Sequence, residues 1–523
     1  MSRGVGSQLD AVFAMPGLEE IAEPLYEFVA KPQHAVAVLG YCAARSVLAP
    51  NALDEELSDP RVWGRIRDVA ASQCRDLPVN PPTFNKLHHL RRRIDQASVG
   101  SRDRFEEVLV EMNNRFIEES VKLAKAGGLL DPAKVGDLLQ PVRSNTVYAD
   151  GTWWKAHSGV TCDPVTGELR GVSRSRGVQH ADGSWWTEPV QVFDERTGEV
   201  FSIEAKRVQG PRVAEVRSTS KDGRLLTGIP VVMVGVHGET NDERVVLGLR
   251  RFVSPLLSSS VGEAPAADEL LARVIDVAGD GVRWCVYDMA FEGANLRRLA
   301  RRGVVGIAAM RSASKDQRAL ETINGGPIRF NNDARKVRFA VGAIKNVRHY
   351  VDGRWCEHAL TSVDGAMRCH DLGTEVTPKD PLCEPVELNF TPDRRGTHRM
   401  HVSFEVPCVN QSMRITLDLT GKIEGTNVDM LNRVRPISEY SATFAAAKGY
   451  RQDVENLNSI MKRVTPLDGR ATSLAPAHFE LDLIGAALWV NSKFWDIHIA
   501  RVSRSAQERE LREANRLINA VPL

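Results

Sequence analysis

No run of 18 apolar residues occurs anywhere in the 523-residue chain, so no transmembrane helix is expected. Residues 1–16 lack a basic segment followed by an apolar one, so no signal peptide is expected and the setting reads as cytoplasmic. No Cys-x-x-Cys pair is present; the eight cysteines are scattered, which fits free thiols in a reducing compartment. Charge of one sign is also missing. The formal net charge is +1, which neither demands nor excludes nucleic acid, because a DNA-binding surface needs only local positive charge. Asp and Trp are plentiful, but no paired-acid motif of a glycosidase accompanies them.

What is present is a chain that is 42% hydrophobic, enough to bury a large core divided among two to four domains. Arginine clusters at 91–93, at 297–302 and along the tail from Arg501 to Arg516. Residues 1–140 read as mostly helical, with apolar residues at helical spacing in 34–47, 60–71 and 105–126. A further helix is expected to start near Asn80 or Pro81. Phe84, Leu87, Leu90 and Ile94 line its inner side, and Lys86, His89, Arg92 and Arg93 point outward. Two short helices around a turn, the second one basic, fit a helix-turn-helix reader of DNA or a plain helical bundle.

Residues 449–464 carry two distinct helical faces. Val454, Leu457, Met461 and Val464 form the apolar one; Arg451, Glu455, Ser459 and Lys462 form the other. An ordinary amphipathic helix would account for this. Farther upstream, 144–156 reads as a short strand ending at Asp150-Gly151. A near copy, Ala181-Asp182-Gly183-Ser184-Trp185-Trp186, competes with it, and Asp-Gly is also a common hairpin turn. The more strand-like run before Asp150 favours that aspartate. Residues 157–226 read as a β-rich insertion, followed by strands at 229–238 and 244–252 and a helix at 266–278. A buried-type strand then leads to Asp288, a helix is stopped by Gly303, and residues 304–310 form the next strand. Asp288 is either structural or functional; strand ends are where α/β sheets place their chemistry.

The order Tyr450-Arg451, Glu455, Lys462, preceded by strand-borne Asp150 and Asp288, resembles the Tyr-Arg-Glu-Lys signature of insertion-sequence DDE transposases. In one respect it departs: Tyr450 directly precedes Arg451, whereas the family usually separates them. The resemblance spans roughly residues 140–500. It implies an α/β, RNase H-like mixed sheet with flanking helices, β-rich insertions and an α-helical N-terminal domain. The implied division is 1–140 for a helical DNA-binding domain and 141–311 for the first part of the catalytic domain. Residues 312–440 would be a β-rich insertion, and 441–523 the final catalytic helices and tail. It further implies Asp150, Asp288 and Glu455 as catalytic ligands of two Mg²⁺ or Mn²⁺ ions. Tyr450, Arg451 and Lys462, with Arg91, Arg92 and Arg93, would contact DNA. The implied partners are double-stranded transposon ends and target DNA, bound by a homodimer associated with the nucleoid and not with membrane. A metal-dependent nuclease and a catalytically inactive DNA-binding derivative remain alternatives. Trp153 and Trp154 read as core aromatics or as a stacking platform for an unpaired base.

The insertion also holds Cys356, His358, Cys369, His370, Cys383 and Cys408. Cys356 and His358 would supply two zinc ligands, and Cys408 with one more would close a tetrahedral site. Unconnected thiols and surface histidines are the plainer reading. After the Glu455 helix, 479–501 is expected to be a core helix and 505–518 a separate, charged one.

Overall fold

The computed structural model describes residues 5–98, 104–155, 161–162, 169–170, 190–193, 200–203, 215–217, 225–240, 242–251, 263–288, 291–309, 322–323, 326–327, 341–363, 365–374, 376, 379–465 and 476–519. The chain is a mixed α/β protein. It divides into two units, one of residues 1–128, 151–277 and 456–523, the other of 129–150 and 278–455. The strand Thr146–Lys155 and the helix Ala442–Val464 each contribute residues to both.

In the first unit the helix Pro32–Ala44 is buried along its whole length from Ala35 to Ala44. A helix apolar on every side belongs inside a core. It lies against Pro476–Asn519, and a Cβ on Gly485 would stand only 2.6 Å from the carbonyl carbon of Cys42. The pair therefore approaches backbone to backbone. Helices Arg104–Ala126 and Pro476–Asn519 cover the strand Arg244–Arg251, which pairs antiparallel with Leu225–His237. Asn491, fully buried, completes that contact: its side chain accepts from Val246 N at 2.8 Å and donates to Val246 O at 2.9 Å. The N-terminal helices are thus not a domain of their own, as 1–140 was expected to be. Their apolar faces are completed by residues from the far end of the chain. That far end is one helix, Pro476–Asn519, rather than two, because nothing between 501 and 505 breaks it.

The expected helix-turn-helix is also absent. Asp59 caps Pro60–Ser72 and Thr83 caps Phe84–Gln96, so residues 73–83 separate the two helices, longer than the turn of that motif.

In the second unit three parallel strands run side by side in the order Thr146–Lys155, Trp284–Val286, Val305–Ile307. Asn145 ties their entry, its side chain donating to Asp131 O and Gly281 O at 2.8 and 2.9 Å. The helix Gly293–Arg301 connects the last two strands and is closed by Gly303 at φ +76°, a conformation only glycine adopts at little cost. Two three-stranded antiparallel sheets follow. One is Val341–Val351, Arg354–Val363 and Ala366–Asp371; the other is Glu384–Pro392, His398–Val406 and Met413–Asp418.

Candidate active site

The first two acids are related by strand register. Thr146, Val147 and Tyr148 pair in parallel with Trp284, Cys285 and Val286. The pairing ends there; the same offset, carried two residues past it, would set Asp150 against Asp288. Parallel neighbours in one register lie about 4.8 Å apart and point to the same face. Both aspartates are half-buried, while Val147, Tyr148, Trp284 and Cys285 behind them are buried. The pair thus sits where the buried strands give way to partly exposed backbone. Asp182, the competing aspartate, lies outside the described residues.

Glu455 is exposed on the helix Ala442–Val464 of the same unit. Leu457 and Met461 on the opposite face are fully buried, as the periodicity requires; Val464 is half-buried. The helix is anchored by Asp453, a buried residue that accepts two bonds from the Arg143 guanidinium at 2.7 and 3.0 Å. Tyr450 donates to Pro141 O at 3.5 Å, and its ring lies under Arg143 at 5.8 Å. These contacts tie the helix to residues 141–143, which lead into the strand that carries Asp150. They also use Tyr450 internally, whereas DNA contact was expected of it. Asp150 and Asp288 each lie two residues past the last paired residues of neighbouring parallel strands, and Glu455 belongs to the same unit through its helix. The side chain of Arg451 lies outside the described residues. Lys462 is half-buried, with its ammonium 6.0 Å from the ring centre of Trp154.

Trp154 has no exposed surface and packs edge-on against Phe479 at 5.8 Å, so it is a core aromatic and not a base-stacking platform. The next residue after Asp150 carries a feature the sequence reading missed. Gly151 N donates to the carboxylate of Glu263 at 3.1 Å, and Glu263 opens the helix Glu263–Ala278. An acid in a first helical turn is a common signal, but nothing in its spacing points to residue 151.

The basic helix Phe84–Gln96 is corrected at one position. Arg91 was expected to face DNA. It is buried, donates to Asp482 at 2.6 Å and to His478 O at 3.1 Å, and shares Asp482 with Arg45. Arg92 and Arg93 are exposed, and Arg93 donates to Phe28 O.

Two of the residues named for zinc, His358 and Cys408, converge with His349. The ligand atoms of His349, His358 and Cys408 all lie within 4.8 Å of one another. Cys356 stands directly across the strand pair from His349. Burial pushes the Cys408 thiol up, but the backbone N–H groups of Gln411 and Asn410, with His349 and Cys356, outweigh it and hold the thiol down at about 6. Cys369 and Cys383 behave oppositely: burial pushes them up to about 11 and about 12, so they are inert core thiols.

Among the described residues no helix is long and apolar enough to cross a membrane. Compared with protein-family models, curated proteins and solved structures, the chain finds no match.

Proposed function

We propose that the chain is a DNA transposase of the DDE type, with an RNase H-like catalytic core that cuts transposon ends and joins them to target DNA. The observation that supports this reading is the parallel pairing of Thr146–Tyr148 with Trp284–Val286, each strand being followed two residues on by a half-buried aspartate, Asp150 and Asp288. Two carboxylates in that relation form an all-oxygen donor set, which suits Mg²⁺ or Mn²⁺. Such ions, when bound, supply activation of water or a 3′-hydroxyl and stabilisation of the leaving oxygen. Asp150, on its strand, and Asp288, two residues past the end of the neighbouring strand, would hold that centre, with Glu455 as the third ligand from the helix anchored by Asp453. Arg451 and the exposed Arg92 and Arg93 steady phosphates, a positioning role that carries no sequence information. No protein nucleophile is required, and two active centres on two ends require a dimer.

The test is Mn²⁺ titration by calorimetry together with nicking of supercoiled plasmid, comparing the native chain with Asp150→Asn and Asp288→Asn. Loss of a metal ligand is expected to lower both binding and nicking on the order of 100-fold or more. Nicking by either variant at the native rate refutes the reading. Joining of a cut 3′ end to a second duplex separates a transposase from a nuclease that only hydrolyses.

A further inference from the structure

We propose that Cys356, His358, Cys408 and His349 form a tetrahedral Zn²⁺ site that staples together the two antiparallel sheets of the second unit. Three of these residues come from one hairpin. Asp352 and Gly353 both have positive φ, 48° and 78°, the mark of a two-residue turn that fixes strand register. That turn pairs His349 with Cys356 and Val347 with His358. Residues paired directly, and those two positions along a strand, share one face. His349, Cys356 and His358 therefore project from the same side. Cys408 comes from the other sheet, on the connection between His398–Val406 and Met413–Asp418.

Two further observations point to an ion. The Nε2 atoms of His358 and His349 are buried without a hydrogen-bond partner among the described residues, and His358 is only 8% exposed. A buried ring nitrogen left without a partner costs free energy; a metal bond removes that cost. Asn410 also donates its side-chain amide to Cys356 Sγ at 3.1 Å. Such an N–H to sulfur bond is how an outer residue orients a zinc thiolate. Tetrahedral Zn–N and Zn–S bonds put ligand atoms roughly 3.4–3.8 Å apart; the ligand atoms of His349, His358 and Cys408 lie within 4.8 Å of one another, and Cys356 stands across the strand pair from His349. Two thiolates balance the ionic charge, and two imidazoles bind neutral. Each cysteine binds as the thiolate, its proton released to solvent. All four positions are taken by protein, so the site is structural rather than catalytic. It is independent of the aspartate centre.

The full chain, expressed with zinc and dialysed against metal-free buffer, is expected to hold about one zinc per molecule. Cobalt substitution should give the absorption of a tetrahedral thiolate site. Cys408→Ser and His358→Ala should each lose both the bound zinc and the cobalt spectrum, and Cys383→Ala should keep both. Should a ligand variant fail to fold, the native chain still decides: a strong chelator is expected to remove the metal and lower the melting temperature. A native chain that retains no zinc, or a Cys408→Ser chain that retains all of it with an unchanged cobalt spectrum, overturns the proposal.

Discussion

Arg91 and Arg92 are neighbours in sequence with opposite fates. Arg91 answers the buried Asp482, and removing one partner of such a set leaves charge without compensation. Arg45 still faces Asp482, so Arg91→Ala is expected to cost about 2 kcal/mol, below the full loss of a buried pair. Arg92→Ala should stay within about 0.5 kcal/mol while weakening DNA binding. Urea unfolding of the two variants beside a DNA-binding titration checks both, and equal stability losses would contradict the assignment. His478 adds a pH dependence. Burial, and then the Arg91 guanidinium, hold its imidazole below the ordinary 6.5, outweighing Asp95. The unfolded chain therefore takes up this proton first, and stability falls as pH drops below about 6.5, until the folded form is protonated as well. His478→Asn is expected to lose less stability than the native chain between about pH 7.5 and about pH 5.5. Urea midpoints at the two values measure it, and equal losses would remove His478 from the account.

At the scale of elements, the close approach of Pro32–Ala44 and Pro476–Asn519 rests on Gly485. A Cβ there meets Cys42 backbone atoms at 2.6 and 2.8 Å, which cannot swing away as a side chain would. Gly485→Ala is expected to cost about 1–3 kcal/mol by overpacking, although alanine is the better helix former in isolation. A melting temperature at or above the native value would show that the helices separate freely. Elements were also where the sequence was most legible. The spacing of Leu457 and Met461 marked the buried face of their helix, and the run before Asp288 marked a buried strand. The Asp352-Gly353 turn contained the information to align His349 with Cys356, had the strands been counted outward from it. What periodicity cannot reveal is a partner far along the chain. Arg91 was expected to contact DNA because its partner Asp482 lies 391 residues away. Asp453 gives no sign of its role on its own helix because its partner Arg143 lies 310 residues away.

For the whole molecule, the first unit is assembled from three separated stretches of chain, the last of them residues 456–523. A chain ending at residue 475 would lack every residue that covers Pro32–Ala44 from the C-terminal side. Such a truncation is expected to destroy cooperative unfolding of the helical N-terminal stretch, not merely to shave a tail. Limited proteolysis reads this directly: rapid cleavage within residues 5–126 is the expected result, and protection equal to the native chain would show that those helices suffice alone. The division at residue 140 rested on helical spacing upstream, and local spacing does not tell which distant helix fills a core.

Synthesis order makes this architecture demanding. Arg45 leaves the ribosome 437 residues before Asp482. At ordinary elongation speed that is a wait of roughly 20–90 s. Throughout that interval the N-terminal helices can pack on Pro32–Ala44, but the face that Pro476–Asn519 covers stays open. An apolar face left open that long is the kind of surface that makes a nascent chain prone to aggregate before its last tenth emerges.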